Sequence, residues 1–274
     1  MTDDQFREIL RRLGLSWEGY RRVRKGVKKR LSEHLARLGC RRVEDYLRLL
    51  HEVPSSRREA LLLMGVTISR FFRDLRVWDA LESRVIPEIL ASGLREVSVW
   101  SAGCGRGEEV YTLKMLWEHL RENRPHLPDL TIRATDRNPE NLAAAAMGIY
   151  PKSTLREVPA LFRERFFSEL GKGRVAIVAS SLHENILWMV HDLMEDPPPR
   201  GGFHLVFLRN SLLTYYGESR AARALPRVLS SLGDGGFLVI GRKESLPSSV
   251  ESLRGFLPEE GIYRKAWSRG GRTL

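Results

Sequence analysis

Three glycines at alternate positions, Gly103, Gly105 and Gly107, interrupt the stretch V-W-S-A-G-C-G-R-G-E-E-V-Y at 99–111. A short apolar run (Val97, Val99, Trp100) leads into them and a helical pattern follows. The order strand, tight turn, helix is how a nucleotide-binding βαβ unit opens. The dinucleotide fingerprint G-x-G-x-x-G asks for glycine at 108, where Glu108 stands. In a dinucleotide site the first helical turn receives a pyrophosphate, drawn by free N–H groups and the positive end of the helix dipole. Glu108 and Glu109 repel a phosphate from that spot. They suit a phosphate-free ligand with a positive centre, and the sulfonium S-adenosylmethionine (AdoMet) is one. A glycine turn that only joins a strand to a helix is the plainer alternative.

Such a turn needs a sheet behind it. From Glu96 the pattern alternates, predicting strands at Val97–Ser101, Thr131–Thr135, Trp188–Asp192, Leu205–Leu208, Phe237–Gly241 and near Ile262–Ala266. Helices are predicted at Glu108–Arg121, Pro139–Met147, Leu155–Glu169 and Ser219–Leu232. Strands separated by helices argue a mainly parallel sheet covered on both faces, whose ligands sit at the carboxyl ends of the strands. The polar residues there are therefore the informative ones. Asp136 closes the second strand, where a carboxylate can take both ribose hydroxyls. Asp192 and Leu193 close the third, in reach of an adenine edge. Arg209 and Asn210 close the fourth. Any one of them alone reads equally as a helix cap.

The first quarter of the chain is different. A helix is predicted over 3–13 and a longer one from Ser16 or Trp17 to about Leu38, with Tyr20, Val23, Val27, Leu31, Leu35 and Leu38 on one stripe. Its other faces carry Arg21, Arg22, Arg24, Lys25, Lys28, Lys29 and Arg30, seven cations in ten residues without an acid. Two more helices follow at Val43–His51 and Ser55–Met64, then G-V-T-I-S-R-F-F-R-D at 65–74 and a helix from Val77 to Ala91. The expected organisation is a small all-α domain over 1–75 and a Rossmann-like domain over 76–274.

Composition narrows the class. With 274 residues, 42% of them hydrophobic, the chain can bury a full core. No apolar run approaches the roughly 18 residues of a membrane helix, and the acidic N-terminus is unlike a secretory signal. Two distant cysteines, Cys40 and Cys104, suggest a reducing compartment, and seven scattered histidines lack metal-ligand spacing. A cytoplasmic monomer without a metal is expected. Of the +11 net charge, +8 falls in residues 1–75, which hold 18 Lys and Arg against 10 Asp and Glu. Such a face suits nucleic acid, an anionic membrane surface or an acidic protein. Aromatics interleaved with the cations would favour single-stranded RNA, and the 21–30 run has none.

Together, T-I-S-R-F-F-R, W-S-A-G-C-G-R-G-E-E-V-Y, A-T-D-R-N, L-R-N-S and the late G-R-K-E make the chain resemble the CheR family of chemotaxis protein-glutamate O-methyltransferases over nearly its whole length. The resemblance implies an AdoMet-dependent methyltransferase fold, with a mainly parallel sheet and an antiparallel last strand, behind a small helical domain. It also implies AdoMet contacts from Thr67, Ser69, Arg73, Gly103, Glu109, Asp136, Asp192, Leu193, Arg209 and Asn210. The basic helix is then expected to face an acidic protein substrate, such as a chemoreceptor helical bundle. Arg73 is the candidate nearest the chemistry.

Three departures shape the expectation. Family members that bind a receptor-tail pentapeptide carry a small antiparallel β-subdomain. Here only Gly171–Ser181 offers strand-like material, so a reduced or missing subdomain and action without the pentapeptide are expected. The family's R-N-x-x-I-Y-F reads R-N-S-L-L-T-Y-Y, which puts Thr214 in the place of a tyrosine and makes Tyr215, or Tyr216, its catalytic substitute. The usual late G-H-S-E lacks its histidine. Glutamate on a protein is the leading acceptor; RNA, a small molecule, or a non-catalytic AdoMet-binding adapter are the alternatives.

Overall fold

The computed structural model describes residues 1–67, 69–124, 126–171 and 175–267, and divides into two compact units. One comprises Met1–Val66 and Ser211–Arg223; the other comprises Thr67–Asn210 and the chain from Ala224 onward.

The first unit is helical. Its opening helix, Asp3–Leu13, starts in a capping box in which Thr2 and Gln5 exchange hydrogen bonds (3.2 and 2.8 Å), and it ends at Gly14. Phe6, Ile9, Leu10 and Leu13 face a core shared with Tyr20, Val27, Leu31 and Tyr46. The long helix expected from 16 to 38 is two helices, Trp17–Tyr20 and Arg24–Arg37. The break turns Tyr20 inward, where its hydroxyl donates to the Met64 carbonyl at 3.2 Å and its ring meets Phe6 and Tyr215. The buried stripe survives the break, with Val27 and Leu31 at most 1% exposed.

Among the described residues the second unit holds ten strands: β1 (Glu96–Ala102), β2 (Asp129–Asp136), β3 (Ile149–Pro151), β4 (Phe167–Leu170), β5 (Val175–Val178), β6 (Ile186–Val190), β7 (Phe203–Leu208), β8 (Leu232–Ile240), β9 (Leu253–Leu257) and β10 (Ile262–Lys265). Seven form one sheet in the order β6-β2-β1-β7-β8-β10-β9. The first five are mutually parallel, β10 runs antiparallel to them, and β9 pairs antiparallel with β10, as the alternating pattern and an antiparallel close require. The apolar run of β1 is buried against β2 and β7, with Val97, Val99 and Trp100 at most 1% exposed. Edge strand β9, L-R-G-F-L, gives no periodic signal because Gly255 and Arg254 interrupt it, and its pairing with β10 carries a register shift.

The expectation of a reduced or missing β-subdomain needs correction. Strands β3, β5 and β4 form a second, antiparallel sheet, with Tyr150 opposite Ala176 and Ala176 opposite Glu169. Of the stretch Gly171–Ser181, 172–174 lie outside the described residues. The two unforeseen strands are short. One follows directly on the helix Pro139–Met147, and the other occupies the last residues of the predicted helix Leu155–Glu169, which is helical only over Ala160–Phe166.

The segment 67–75 also groups with the sheet unit, whereas the sequence places the boundary after 75. Its aromatics explain the assignment. Phe71 packs edge-on against Tyr150 (4.8 Å) and Phe167 (5.0 Å), and Phe72 lies against Trp78 and Phe162.

Candidate cofactor and active site

At the carboxyl end of β1 the chain makes its glycine bend. Gly103, Gly105 and Gly107 all have positive φ (83°, 58° and 86°). A side chain at Gly107 would also strike the Trp188 ring at 2.8 Å, while the space at Gly105 is open to 4 Å. The bend is pinned from below. The N–H groups of Gly103 and Cys104 both donate to the Thr135 carbonyl at 2.8 Å, and Gly105 N–H donates to Asp136 Oδ2 at 3.0 Å.

Asp136 thus serves the turn as well as any ligand. Its Oδ1 accepts from Asn138 N–H (2.8 Å) and Asn141 Nδ2 (3.1 Å), which seats the following helix Pro139–Met147. Burial raises its pKa, and these hydrogen bonds oppose the rise. Beside it, His191 N–H donates to the Asp136 carbonyl at 3.1 Å, bringing Asp192 and Leu193 to the neighbouring strand end. Asp192 Oδ1 accepts from Met194 N–H at 2.8 Å and closes its own turn.

The two acids behind the bend have different surroundings. Glu108 is buried, 2% exposed, with Oε2 lacking a partner, and burial pushes its pKa up to about 7. Glu109 belongs to a network: Oε1 accepts from Ser101 Oγ at 3.1 Å and Oε2 from Arg209 Nη1 at 3.1 Å. Its pKa is also raised by burial, with Arg209 and Ser101 pulling it down. One carboxylate of the pair, Glu109 and not Glu108, therefore joins the network at the helix start.

Arg209 ties that acid to the F-F-R-D segment. Its Nη2 donates to Asp74 Oδ2 (2.8 Å) and to the Arg73 carbonyl (3.1 Å), and its guanidinium lies over the Trp78 ring. Trp78 Nε1 donates to the same Arg73 carbonyl at 3.0 Å. Arg73 in turn donates from Nη2 to Asn210 Oδ1 at 3.0 Å. The backbone around it is held in an uncommon shape: Phe72 and Asp74 have φ of 53° and 62°, and Asn210 has 50°. Non-glycine residues in the left-handed region cost free energy and gather where a site fixes them. Phe72 N–H is held by Thr112 Oγ1 at 3.2 Å, and Asn210 N–H by Glu244 Oε2 at 2.9 Å.

Arg73, Gly103, Glu109, Asp136, Asp192, Leu193, Arg209 and Asn210 thus belong to one unit, along the carboxyl ends of β1, β2, β6 and β7 or on the segment bonded to them. Thr67 is exposed and Ser69 half-buried at the head of that segment; Ile68 lies outside the described residues. Tyr215 belongs to the helical unit, where it ends the helix Leu212–Tyr215 and its ring lies 5.0 Å from that of Tyr20. Sequence reasoning missed Ser101 and Asp74 as site residues. It also left Glu244 unassigned, although the G-R-K-E motif contains it.

These residues fit AdoMet. Glu109 on the helix after β1 and Asp136 at the end of β2 are both lifted in pKa by burial and gain from a nearby positive centre, Gly105 leaves room, and the Glu109 carboxylate disfavours a phosphate at the helix start. Glu109, Asp136 and the Asp192 turn would hold it, and it would supply a sulfonium-activated methyl group.

The sequence comparisons with known proteins point the same way. The profile of the CheR methyltransferase SAM-binding domain matches residues 67–258. The chain is 30% identical over 240 residues to a chemotaxis protein methyltransferase of Listeria monocytogenes, covering 88% of each. It is 33% identical over 234 residues to a probable chemotaxis protein methyltransferase of Rhizobium etli, covering 83% of this chain and 86% of that one. An uncharacterized 104.1 kDa protein of Rhodobacter capsulatus is 35% identical over 219 residues, and there the match spans 22% of the longer chain. Among solved structures, a TehB-like SAM-dependent methyltransferase from Corynebacterium glutamicum has a TM-score of 0.35 at 16% identity, covering 70% of this chain and 94% of that one.

Proposed function

Because this chain belongs to the CheR methyltransferase family and is an AdoMet-dependent methyltransferase, we propose that it esterifies glutamate side chains of a protein substrate. AdoMet, which Glu109, Asp136 and the Asp192 turn would hold, would supply the methyl group: the carboxylate oxygen would bond to the methyl carbon as the carbon–sulfur bond breaks, leaving a methyl ester and S-adenosylhomocysteine. The nucleophile is ionised at neutral pH, so no general base is needed. What remains for the protein is orientation and exclusion of water.

The observation that carries this reading is the way Arg73 is held. Its carbonyl takes two donors, its guanidinium takes Asn210, and a left-handed residue stands on either side. A fixed cation beside the strand ends is suited to align an anionic acceptor. Arg73 is the proposed catalytic residue; Tyr215 is the second candidate, tested by Tyr215→Phe.

The substrate is an acidic helical protein surface, such as a chemoreceptor bundle, met by the basic helix Arg24–Arg37 and the turn before it, with the enzyme acting as a cytoplasmic monomer. Among the described residues no helix is long and apolar enough to cross a membrane. The three-stranded sheet removes the ground for expecting independence from a receptor-tail peptide. Equal methylation rates on substrates with and without a tail would restore it.

The test is methyl transfer from labelled AdoMet to an acidic helical substrate. Label released by mild base as methanol marks a carboxyl ester. Base-stable label moves the acceptor to nitrogen, carbon or an ether oxygen, as in RNA or a small molecule, and binding without any transfer marks an adapter. Arg73→Ala at saturating AdoMet is expected to lower turnover at least tenfold, about 1.4 kcal/mol of barrier; unchanged turnover removes its assignment.

A further inference from the structure

The antiparallel sheet β3-β5-β4 touches both halves of the cofactor site, through one side chain. Tyr150, the middle residue of β3, is 2% exposed, and its hydroxyl donates to the Arg106 carbonyl at 2.5 Å. Arg106 lies between Gly105 and Gly107, so this bond is a third pin on the glycine bend, beside those from Thr135 and Asp136. It comes from outside the seven-stranded sheet. The ring of Tyr150 meets Phe71 edge-on at 4.8 Å, and Phe71 is two residues before Arg73. The same sheet region holds that segment twice more: Phe71 N–H donates to the Thr154 carbonyl at 3.2 Å, and the Phe71 ring meets Phe167 of β4 at 5.0 Å.

We propose that Tyr150 is a positioning residue for methyl transfer, setting the glycine bend through its hydroxyl and the Arg73 segment through its ring. A hydroxyl alone would brace the bend, and a ring alone would fill the core. Their combination on one buried side chain ties the two walls together, although the walls are separated by about thirty residues and different strands. Burial keeps the phenol protonated well above its ordinary range, so it remains a donor throughout the working pH range. The inference makes the small sheet part of the machinery that shapes the site. It rests on AdoMet binding and not on the identity of the acceptor, so a binding measurement reads it independently of the proposed substrate.

The experiment pairs Tyr150→Phe with Tyr46→Phe. Tyr46 is an equally buried tyrosine of the helical unit whose hydroxyl lies 2.7 Å from His34 Nδ1, and it controls for the mere loss of a buried hydroxyl. Titration calorimetry with S-adenosylhomocysteine is expected to show a loss of about threefold to tenfold for Tyr150→Phe, the range of one neutral hydrogen bond, and no change for Tyr46→Phe. Amide exchange should quicken at 103–108 in Tyr150→Phe, and at both 103–108 and 70–74 in Tyr150→Leu. Unchanged affinity in Tyr150→Phe, or an equal loss in Tyr46→Phe, overturns the proposal. Should Tyr150→Phe not fold, the unaltered protein decides. S-adenosylhomocysteine must then slow exchange at 149 and 150 together with 103–107, and slowing at 103–107 alone overturns the assignment.

Discussion

Arg209 and Glu109, one hundred positions apart, meet in a 3.1 Å hydrogen bond between Nη1 and Oε2, with the arginine side chain 3% exposed. The bond joins the end of β7 to the helix that leaves the glycine bend. Asp74 and the Arg73 carbonyl take Nη2, so a single buried cation sets the acid at the cofactor site and the backbone that carries Arg73. Breaking a buried pair from one side costs more than the pair contributes, because the remaining charge stays desolvated. Asp74 softens this, since it remains as a counter-charge.

Glu109→Gln keeps the shape and the Ser101 bond but removes the charge. It is expected to lower S-adenosylhomocysteine affinity by about 1.5–3 kcal/mol, the worth of a hydrogen bond to a charged group, while folding stability holds or rises at neutral pH because burial already disfavours the Glu109 charge. Calorimetry and a denaturant melt measure the two. Full affinity in a stably folded Glu109→Gln protein would place the acid outside the cofactor site.

Asp136→Ala removes one carboxylate and three hydrogen bonds, those from Gly105, Asn138 and Asn141. The variant is expected to cost cofactor affinity on the order of 1–3 kcal/mol, in part through a looser glycine bend. Asp136→Asn retains one acceptor oxygen and should fall between wild type and Asp136→Ala in the same titration. An order in which asparagine is as weak as alanine would make charge, rather than the turn, the whole effect.

Much of this arrangement is legible in the sequence, for physical reasons that differ by element. Strands β1 and β7 are buried at most positions and read as apolar runs, β2 reads as an alternation, and the strand-end residues follow from the topology. The Arg209–Asp74 and Asn210–Glu244 contacts do not, because they join residues more than thirty positions apart and no local period encodes them. The small sheet was hidden for another reason: strands of three and four residues are too short to establish an alternation, and Phe166 and Phe167 fit a helix as well as a strand end. Helix Trp17–Tyr20 shows the limit of periodicity, since its stripe continues through a turn that the spacing does not register.

Glu108 gives a stability prediction with a definite sign. Its pKa rises on folding, from 4.5 to about 7, so the folded protein binds the proton more tightly than the unfolded chain. The favourable contribution is fully present below about pH 4.5 and is lost as pH rises through about 7. Glu108→Gln removes this loss. It should therefore be more stable than wild type at pH 8, by up to about 3 kcal/mol, and show a flatter stability curve between pH 5 and 7. Parallel curves for the two proteins would show that the carboxylate is accommodated without cost.

The basic helix divides into cations with structural partners and cations facing outward, which turns its proposed role into a separable measurement. Lys28 Nζ donates to Asp3 Oδ1 at 2.8 Å, Arg24 Nε lies 3.2 Å from Asp3 Oδ2, and Arg30 donates to the carbonyls of Leu63 and Gly65 at 2.8 Å each. Arg22, Lys25 and Lys29 are exposed, with Lys29 only 3.9 Å from Glu33. Reversing Arg22, Lys25 and Lys29 to Glu should weaken an acidic protein substrate by about tenfold or more at low salt, an effect that shrinks as ionic strength rises and screening shortens the field. S-adenosylhomocysteine affinity should stay within twofold of wild type. Lys28→Glu should instead lower the melting temperature, because it sets a carboxylate against Asp3. If the triple reversal leaves substrate binding intact, or its effect ignores salt, the outward cations serve only solvation and the substrate docks elsewhere.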